Sequence, residues 1–318
     1  MFGNIESECA ASLSEKGLIS RIMSAFGDSM PPAPFGGGDD CAVINKSLFQ
    51  GKILSTSDAV IARVHFLESD PPELVGQKLL NRNISDIAAM GGDPKFAMTS
   101  SIISPKLKLS WLDGFCAGLK AAAEKWGVKF VGGDVAKGGD DFFSTHITLL
   151  GDAEKPLLRC GAKEGDSIFT TGALGASFES GRHLTFVPRV AEGKSLASFG
   201  GVNCCTDLSD GLASDIYDIL PKNLCAVFYA EKIPLCNFAG NSIKKALYDG
   251  EDYELLFSLS AGADKAEFLR QYKNEFGVCP FEIGEFRAPI APFDGGLALL
   301  KRGGSFMQIP RGGYSHFA

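Results

Sequence analysis

Acidic residues recur beside glycines along this chain. Gly36-Gly37-Gly38-Asp39-Asp40, Gly132-Gly133-Asp134, Asp207-Leu208-Ser209-Asp210-Gly211 and Gly250-Glu251-Asp252 all adjoin apolar runs. Glycine permits tight and left-handed backbone, so these segments read as turns between regular elements. A single Asp beside Gly is most simply a turn or cap residue. Their number is what constrains the chain. Carboxylates gathered at the ends of strands and helices repel one another, and they persist together only where cations offset the charge.

The elements between these turns are mixed. A helix is expected over residues 15–26, then a Pro-rich loop, then short strands at 41–44 and 52–56, the second ending at Ser57-Asp58. Residues 72–90 carry Val75, Leu79, Ile84 and Ile87 at helical spacing, with Pro72 suited to the first turn and Gly91-Gly92 to the stop. Asn83 and Asp86 lie off that stripe. A strand at 96–103 follows. The next helix is expected to start at Ser110, capped by Asp113, and to stop at Gly127. A strand at 128–131 opens into Gly132-Gly133-Asp134, and 143–150 alternates as a half-buried strand. Strands at 167–171, 226–230 and 253–259 and helices ending near 199, before Pro221, at 248 and at 276 complete the chain. Gly172-Ala173-Leu174-Gly175 reads as a turn at a strand end. Strands are not strictly followed by parallel crossovers, so the fold class is α+β, with helices on mixed sheets. With 318 residues the chain suits two domains, divided as 1–152 and 153–318.

Composition narrows the chemistry. Hydrophobic residues make up 45% and charged residues 22%, with a net charge of -7. That balance gives no general attraction to nucleic acid or to anionic lipid. No run of about 18 apolar residues implies a membrane span, and the N-terminus shows no basic segment leading into an apolar run. Nine cysteines lack CxxC pairs and zinc-like spacing, which points to reduced thiols in a cytoplasmic protein. His146 sits within an alternating strand and reads as structural. Trp111 and Trp126, at opposite ends of one helix, read as packing residues.

The acids at element ends are Asp39, Asp40, Asp58, Asp86, Asp134, Asp207, Asp210, Glu251 and Asp252. Without a His/Cys cluster they point to a hard, oxygen-seeking cation such as magnesium, which bridges carboxylates to phosphate oxygens. No GxxxxGK[ST] loop, no GxGxxG opening a helix and no protein-kinase motif set is present. A phosphate site here relies on metal ions and backbone N–H groups.

Gly38-Asp39-Asp40-Cys41-Ala42-Val43-Ile44, Ser55-Thr56-Ser57-Asp58 with Val64-His65-Phe66, and Asn83-Ile84-Ser85-Asp86-Ile87-Ala88-Ala89-Met90-Gly91 resemble the thiamine-monophosphate kinase family. So do Gly132-Gly133-Asp134, Arg159-Cys160-Gly161-Ala162, Gly165-Asp166, Asp207-Leu208-Ser209-Asp210-Gly211-Leu212, Gly250-Glu251-Asp252-Tyr253-Glu254-Leu255 and Gly313-Tyr314-Ser315-His316-Phe317. The matches run in the family's order from residue 38 to the C-terminus. The resemblance implies a two-domain aminoimidazole ribonucleotide synthase-like fold. Its N-terminal ATP- and magnesium-binding domain would also dimerise, and a C-terminal α/β domain would complete the site. It implies ATP-dependent phosphorylation of thiamine monophosphate to thiamine diphosphate by a homodimer.

Roles carry over motif by motif. Asp40, Thr56, Ser57, Asp58, Asp86, Asp134, Asp207 and Asp210 would hold several magnesium ions, with Asp86, Asp207 and Asp210 the residues turnover depends on most. Gly133, Asp134, Arg159 and Ser209 would contact ATP, and His65, Glu251 and Tyr314 would contact thiamine monophosphate. Tyr314 stands where the family often has Trp, and its ring suits a flat pyrimidine or a cationic thiazolium. Val135-Ala136-Lys137 replaces the usual Thr-Thr-Arg; Lys keeps the charge without the bidentate fork. The alternatives are another ATP-dependent synthetase of the superfamily, of the selenophosphate or aminoimidazole ribonucleotide type, and a non-catalytic nucleotide-binding maturation scaffold. Cys9 and Lys16 lack the Gly-rich context of a selenophosphate synthetase.

Overall fold

A computed structural model describes residues 1–32, 35–36, 41–240 and 242–314. The chain divides into two units. One comprises Met1–Ile87 and Asp93–Glu154, and the other Ala88–Gly92 and Lys155–Ala318.

In the first unit, α1 (Glu15–Phe26) leads through a loop to β1 (Lys52–Ile61), α2 (Pro72–Ala89) and β2 (Asp93–Ile103). Then come α3 (Leu109–Trp126), β3 (Lys129–Lys137) and β4 (Phe143–Ala153). The sheet order is β1-β4-β2-β3. The β1–β4 and β4–β2 pairs are antiparallel, whereas β2–β3 is parallel, as the α3 crossover requires. Val75, Leu79, Ile84 and Ile87 of α2 are buried, and so are Trp111, Phe115 and Leu119 of α3 and Val60, Ile147 and Leu149 of the sheet. Trp111 stacks on Phe66 and Phe115, with Phe143 edge-on at 4.8 Å. The opposite face of this sheet leaves Ile53, Met98 and Ile102 exposed within the unit.

Several local expectations are corrected. Residues 41–44 form no strand. Ser57 and Asp58 lie inside β1, because β4 pairs with it as far as Ile61↔Ser144. Likewise Gly132, Gly133 and Asp134 lie inside β3, paired in parallel with Met98, Thr99 and Ser100 past an irregularity at Ala97/Met98. The α3 start is Leu109, and no side chain caps it. Asp113 is one turn inside and pairs with Arg21 of α1 instead, at 2.6 and 2.5 Å.

The second unit contains β5 (Ser167–Thr170), α4 (Arg182–Thr185), α5 (Val190–Phe199), β6 (Val202–Asp207) and α6 (Leu212–Ile219). It continues with β7 (Cys225–Tyr229), α7 (Ile243–Tyr248), β8 (Leu255–Leu259), α8 (Lys265–Phe276), β9 (Phe281–Arg287), β10 (Leu297–Arg302) and β11 (Ser305–Gln308). Its sheet runs β11-β10-β7-β9-β5-β8-β6, with β10–β7 the parallel pair. One apolar layer gathers Ile168, Leu208, Leu212, Ile216, Phe228, Leu256 and Ile283. Another gathers Phe169, Leu196, Phe257, Phe268 and Tyr272. The central strands β5, β7 and β8 are therefore buried on both faces.

Candidate active site

In the first unit β1 and α2 meet along one edge of polar side chains. Successive strand residues alternate between faces. Thr56 and Asp58 share the helix-covered face with the buried Leu54 and Val60, whereas Ser57 takes the open face. The Thr56 hydroxyl donates to the Asp86 carboxylate in a short hydrogen bond. The Asp58 N–H donates to Asn83 Oδ1 at 2.9 Å, and Asn83 Nδ2 donates to the Leu79 carbonyl at 2.9 Å. Arg82 Nη1 donates to the Ala59 carbonyl at 2.6 Å, and Nη2 lies 3.5 Å from Asp58 Oδ1. Asn83, Arg82 and Asp86 are thus one helical turn holding one strand segment. The oxygen-only donor set of Thr56, Asp58 and Asp86 fits magnesium. Among the described residues no three His, Cys, Asp or Glu side chains converge as a preformed metal cluster.

On the open face of the same sheet, Asp134 and His146 flank Ser100 in adjacent strands. They border a cavity of about 630 Å³ whose wall also includes Gly133, Thr148, Met98 and Met23. A Cβ at Gly133 would strike the Thr99 carbonyl. His146 is exposed here rather than packed in a core, with its Nε2 3.2 Å from Ser144 Oγ. The structural reading of His146 overlooked this because alternation fixes only which residues share a face, not which face is covered. His65 is buried just past β1. Its Nδ1 accepts the Ile61 N–H at 3.1 Å, and its carbonyl accepts from the fully buried Lys78 ammonium at 2.6 Å. Asp40 lies outside the described residues.

In the second unit the backbone brings Asp207, Ser209, Asp210, Glu251 and Tyr314 together. Asp207 ends β6, opposite Leu255 of β8. The Leu208 N–H donates to the Glu254 carbonyl at 2.9 Å. The Glu251 N–H donates to the Ser209 carbonyl at 2.7 Å, and the Tyr253 N–H to the Leu208 carbonyl at 2.8 Å. The Tyr314 N–H donates to the Asp210 carbonyl at 3.0 Å, with Gly313 packed against that same oxygen. Two segments distant in sequence therefore clamp the Asp207–Gly211 turn. Arg159 is exposed, with its Nη1 2.9 Å from Asp218 of α6.

Beneath the turn lies Asp215, which the reading of turn acids missed because it sits inside α6. Its Oδ2 accepts the N–H groups of Asp210 and Gly211 at 3.0 and 3.2 Å. Burial, then the nearby Asp210 and Asp207, push its carboxyl up to about 8. A neutral Asp215 adds no further negative charge beside Asp207 and Asp210. Its place five residues after Asp210, on the first turn of the following helix, is a signal readable in the sequence.

Residues 38–153 match the model for the AIR synthase related protein, N-terminal domain. A thiamine-monophosphate kinase of Aquifex aeolicus is 33% identical over 274 residues, covering 77% of this chain and 86% of that protein. The chain belongs to the thiamine-monophosphate kinase family. The enzyme of that name from Salmonella typhimurium is 32% identical, over 96% of this chain and 98% of its own length. Among solved structures of the family, AaThiL complexed with AMPPCP and TMP superposes with a TM-score of 0.70 at 29% identity, covering 96% and 98% of the two chains. A hydrogenase maturation protein of E. coli, HypE, superposes with a TM-score of 0.75 over 95% and 99% of the chains at 15% identity, which shows the shared fold alone.

Proposed function

We propose that this member of the family transfers the γ-phosphoryl group of ATP directly to the phosphate of thiamine monophosphate, giving thiamine diphosphate and ADP. The observation that carries the reading is the clamped Asp207–Gly211 turn, held by the backbones of Glu251 and Tyr314 in a chain one-third identical to kinases of this name.

Thr56, Ser57, Asp58, Asp86, Asp134, Asp207 and Asp210, with Asp40, would hold magnesium. Bound magnesium supplies the positive charge that offsets repulsion between two phosphate groups brought into line. Gly133, Arg159 and Ser209 are read as ATP contacts, and His65, Glu251 and Tyr314 as contacts to thiamine monophosphate. Gly133 borders the cavity, and its lack of a side chain is what the neighbouring Thr99 carbonyl, which a Cβ would strike, requires. The acceptor phosphate has its second pKa near ~6 and arrives ionised, so no residue needs to remove a proton. The task of the protein is alignment and charge neutralisation.

A homodimer built through the first unit is supported by the exposed apolar Ile53, Met98 and Ile102 on the sheet face away from α2 and α3. A cytoplasmic setting is supported by nine free cysteines. Among the described residues no helix is long and apolar enough to cross a membrane.

The test is ADP release with ATP, magnesium and thiamine monophosphate, with thiamine, selenide and formylglycinamidine ribonucleotide as controls. Activity with thiamine monophosphate alone is the expected result. Asp207→Asn and Asp86→Asn should cut turnover by roughly a hundredfold or more while changing stability little. Near-normal turnover in both purified variants would sink the assignment.

A further inference from the structure

We propose that Arg182 and Arg189 are positioning residues for thiamine monophosphate, acting through Asp252 and Glu254 on the turn that carries Glu251. The proposal rests on the reading of Glu251 as a substrate contact. Residues 249–254 hold four acids, and three of them reach into the single segment 171–189. Asp249 Oδ2 accepts the Ala176 N–H at 3.0 Å. The two Asp252 oxygens share the Gly175 N–H at 3.0 and 3.1 Å, and Oδ1 also accepts from Ser177 Oγ at 2.5 Å and from Arg182 Nη2. Arg182 Nη1 continues to the Ala173 carbonyl at 2.7 Å. Glu254 accepts the Thr171 hydroxyl at 2.6 Å and both Nε and Nη2 of Arg189, at 2.8 and 2.7 Å.

Between these anchors the backbone is strained. Glu251 has φ +53 and Tyr253 φ +51, a left-handed conformation that residues with a Cβ disfavour. Such strain persists only where the surroundings over-determine it. Asp252, between the two, is 2% exposed, and Glu254 is 5% exposed. The Tyr253 ring stacks on Phe186 at 4.0 Å. The carboxylates of these pairs are buried while Arg182 and Arg189 are 24% and 32% exposed, and such ion pairs are poor sources of stability compared with apolar packing. Two of them flanking a strained turn serve geometry: they pull Asp252 and Glu254 to one side. The N–H groups of Glu251 and Tyr253 stay bonded to the Ser209 and Leu208 carbonyls on the other.

The experiment compares Asp252→Asn, Arg182→Met and Arg182→Lys with Glu251→Gln in the full-length protein. It records kcat, both KM values and amide exchange of residues 250–254. Asp252→Asn and Arg182→Met should raise KM for thiamine monophosphate roughly tenfold and leave KM for ATP within about twofold. Arg182→Lys should recover part of the loss, and exchange in the turn should quicken about tenfold. Unchanged KM for thiamine monophosphate in Asp252→Asn overturns the proposal, whether or not exchange quickens. So does an equal rise in both KM values with protection lost throughout the unit. Asp252→Asn preserves shape and decides the matter if Arg182→Met does not fold. An unchanged KM in Glu251→Gln instead removes Glu251 from the substrate site. A raised KM with faster exchange in Asp252→Asn beside an unchanged KM in Glu251→Gln would overturn the Glu251 reading and with it the proposed route through Glu251.

Discussion

The Asp58 backbone N–H donates to the Asn83 side-chain carbonyl at 2.9 Å, joining the middle of β1 to the last turns of α2. Asn83 is fully buried, and its amide nitrogen returns to the Leu79 carbonyl of its own helix. This amide works beside the Thr56–Asp86 and Arg82–Ala59 hydrogen bonds to set the register between the strand that carries Thr56 and Asp58 and the helix that carries Asp86.

Asn83→Ala removes an acceptor and a donor at once and leaves the Asp58 N–H without this partner. The cost should be about 1–3 kcal/mol in urea unfolding. Because Asp58 loses its tie to the helix that carries Asp86, the magnesium concentration for half-maximal activity should rise. Stability and magnesium dependence both unchanged would show that Asn83 does not set this register.

Thr56→Val keeps the shape of the side chain and deletes the hydroxyl bonded to Asp86. Turnover at limiting magnesium should fall roughly tenfold, with recovery in Thr56→Ser. The comparison of the two variants over a magnesium titration separates the hydroxyl from packing of the methyl group.

Asp215 carries a pH signature. Its folded carboxyl titrates at about 8 against an ordinary value of 3.8. The native state therefore binds this proton more tightly than the unfolded chain does. Stability from this group is full below pH 3.8 and is lost as pH rises through about 8. Asn at 215 keeps an oxygen for the Asp210 and Gly211 N–H groups and carries no charge to titrate. In magnesium-free buffer, Asp215→Asn should raise Tm relative to the parent, with a larger gap at pH ~9 than at pH ~5. A gap that shrinks as pH rises would contradict the burial argument.

Gly250 has φ +73, and a Cβ there would meet the Ser209 carbonyl at 2.8 Å. Gly250→Ala should cost about 1–2 kcal/mol for the left-handed backbone alone, with a further penalty for the contact. KM for thiamine monophosphate should rise with it, since the turn bears Glu251. Calorimetry together with steady-state kinetics checks both.

Much of the chemistry is legible in the order of residues. The helix expected at residues 15–26 is α1, and the stop expected at Gly127 is a left-handed cap with φ +70. Both follow from local signals: periodicity, capping and the one residue type without a Cβ. The family is legible as well, because ordered Asp–Gly motifs survive where overall identity is about one-third. The length of the strands through Asp58 and Asp134 is not. A glycine pair beside an acid reads as a turn, whereas a neighbouring strand in register keeps Gly132 and Gly133 extended.

The sequence by itself determined the local turns, the helical stripes and the class of chemistry, because these depend on neighbouring residues and on side-chain type. Tertiary structure alone decided which acids are braced and by what. Arg182 meets Asp252 across 70 positions and Arg189 meets Glu254 across 65, although Arg189 also has a local partner in Glu192. Asp215 titrates far from its usual range because α6 buries it beneath two other carboxylates. Burial and long-range charge pairing are properties of packed space, and the linear order of residues does not carry them.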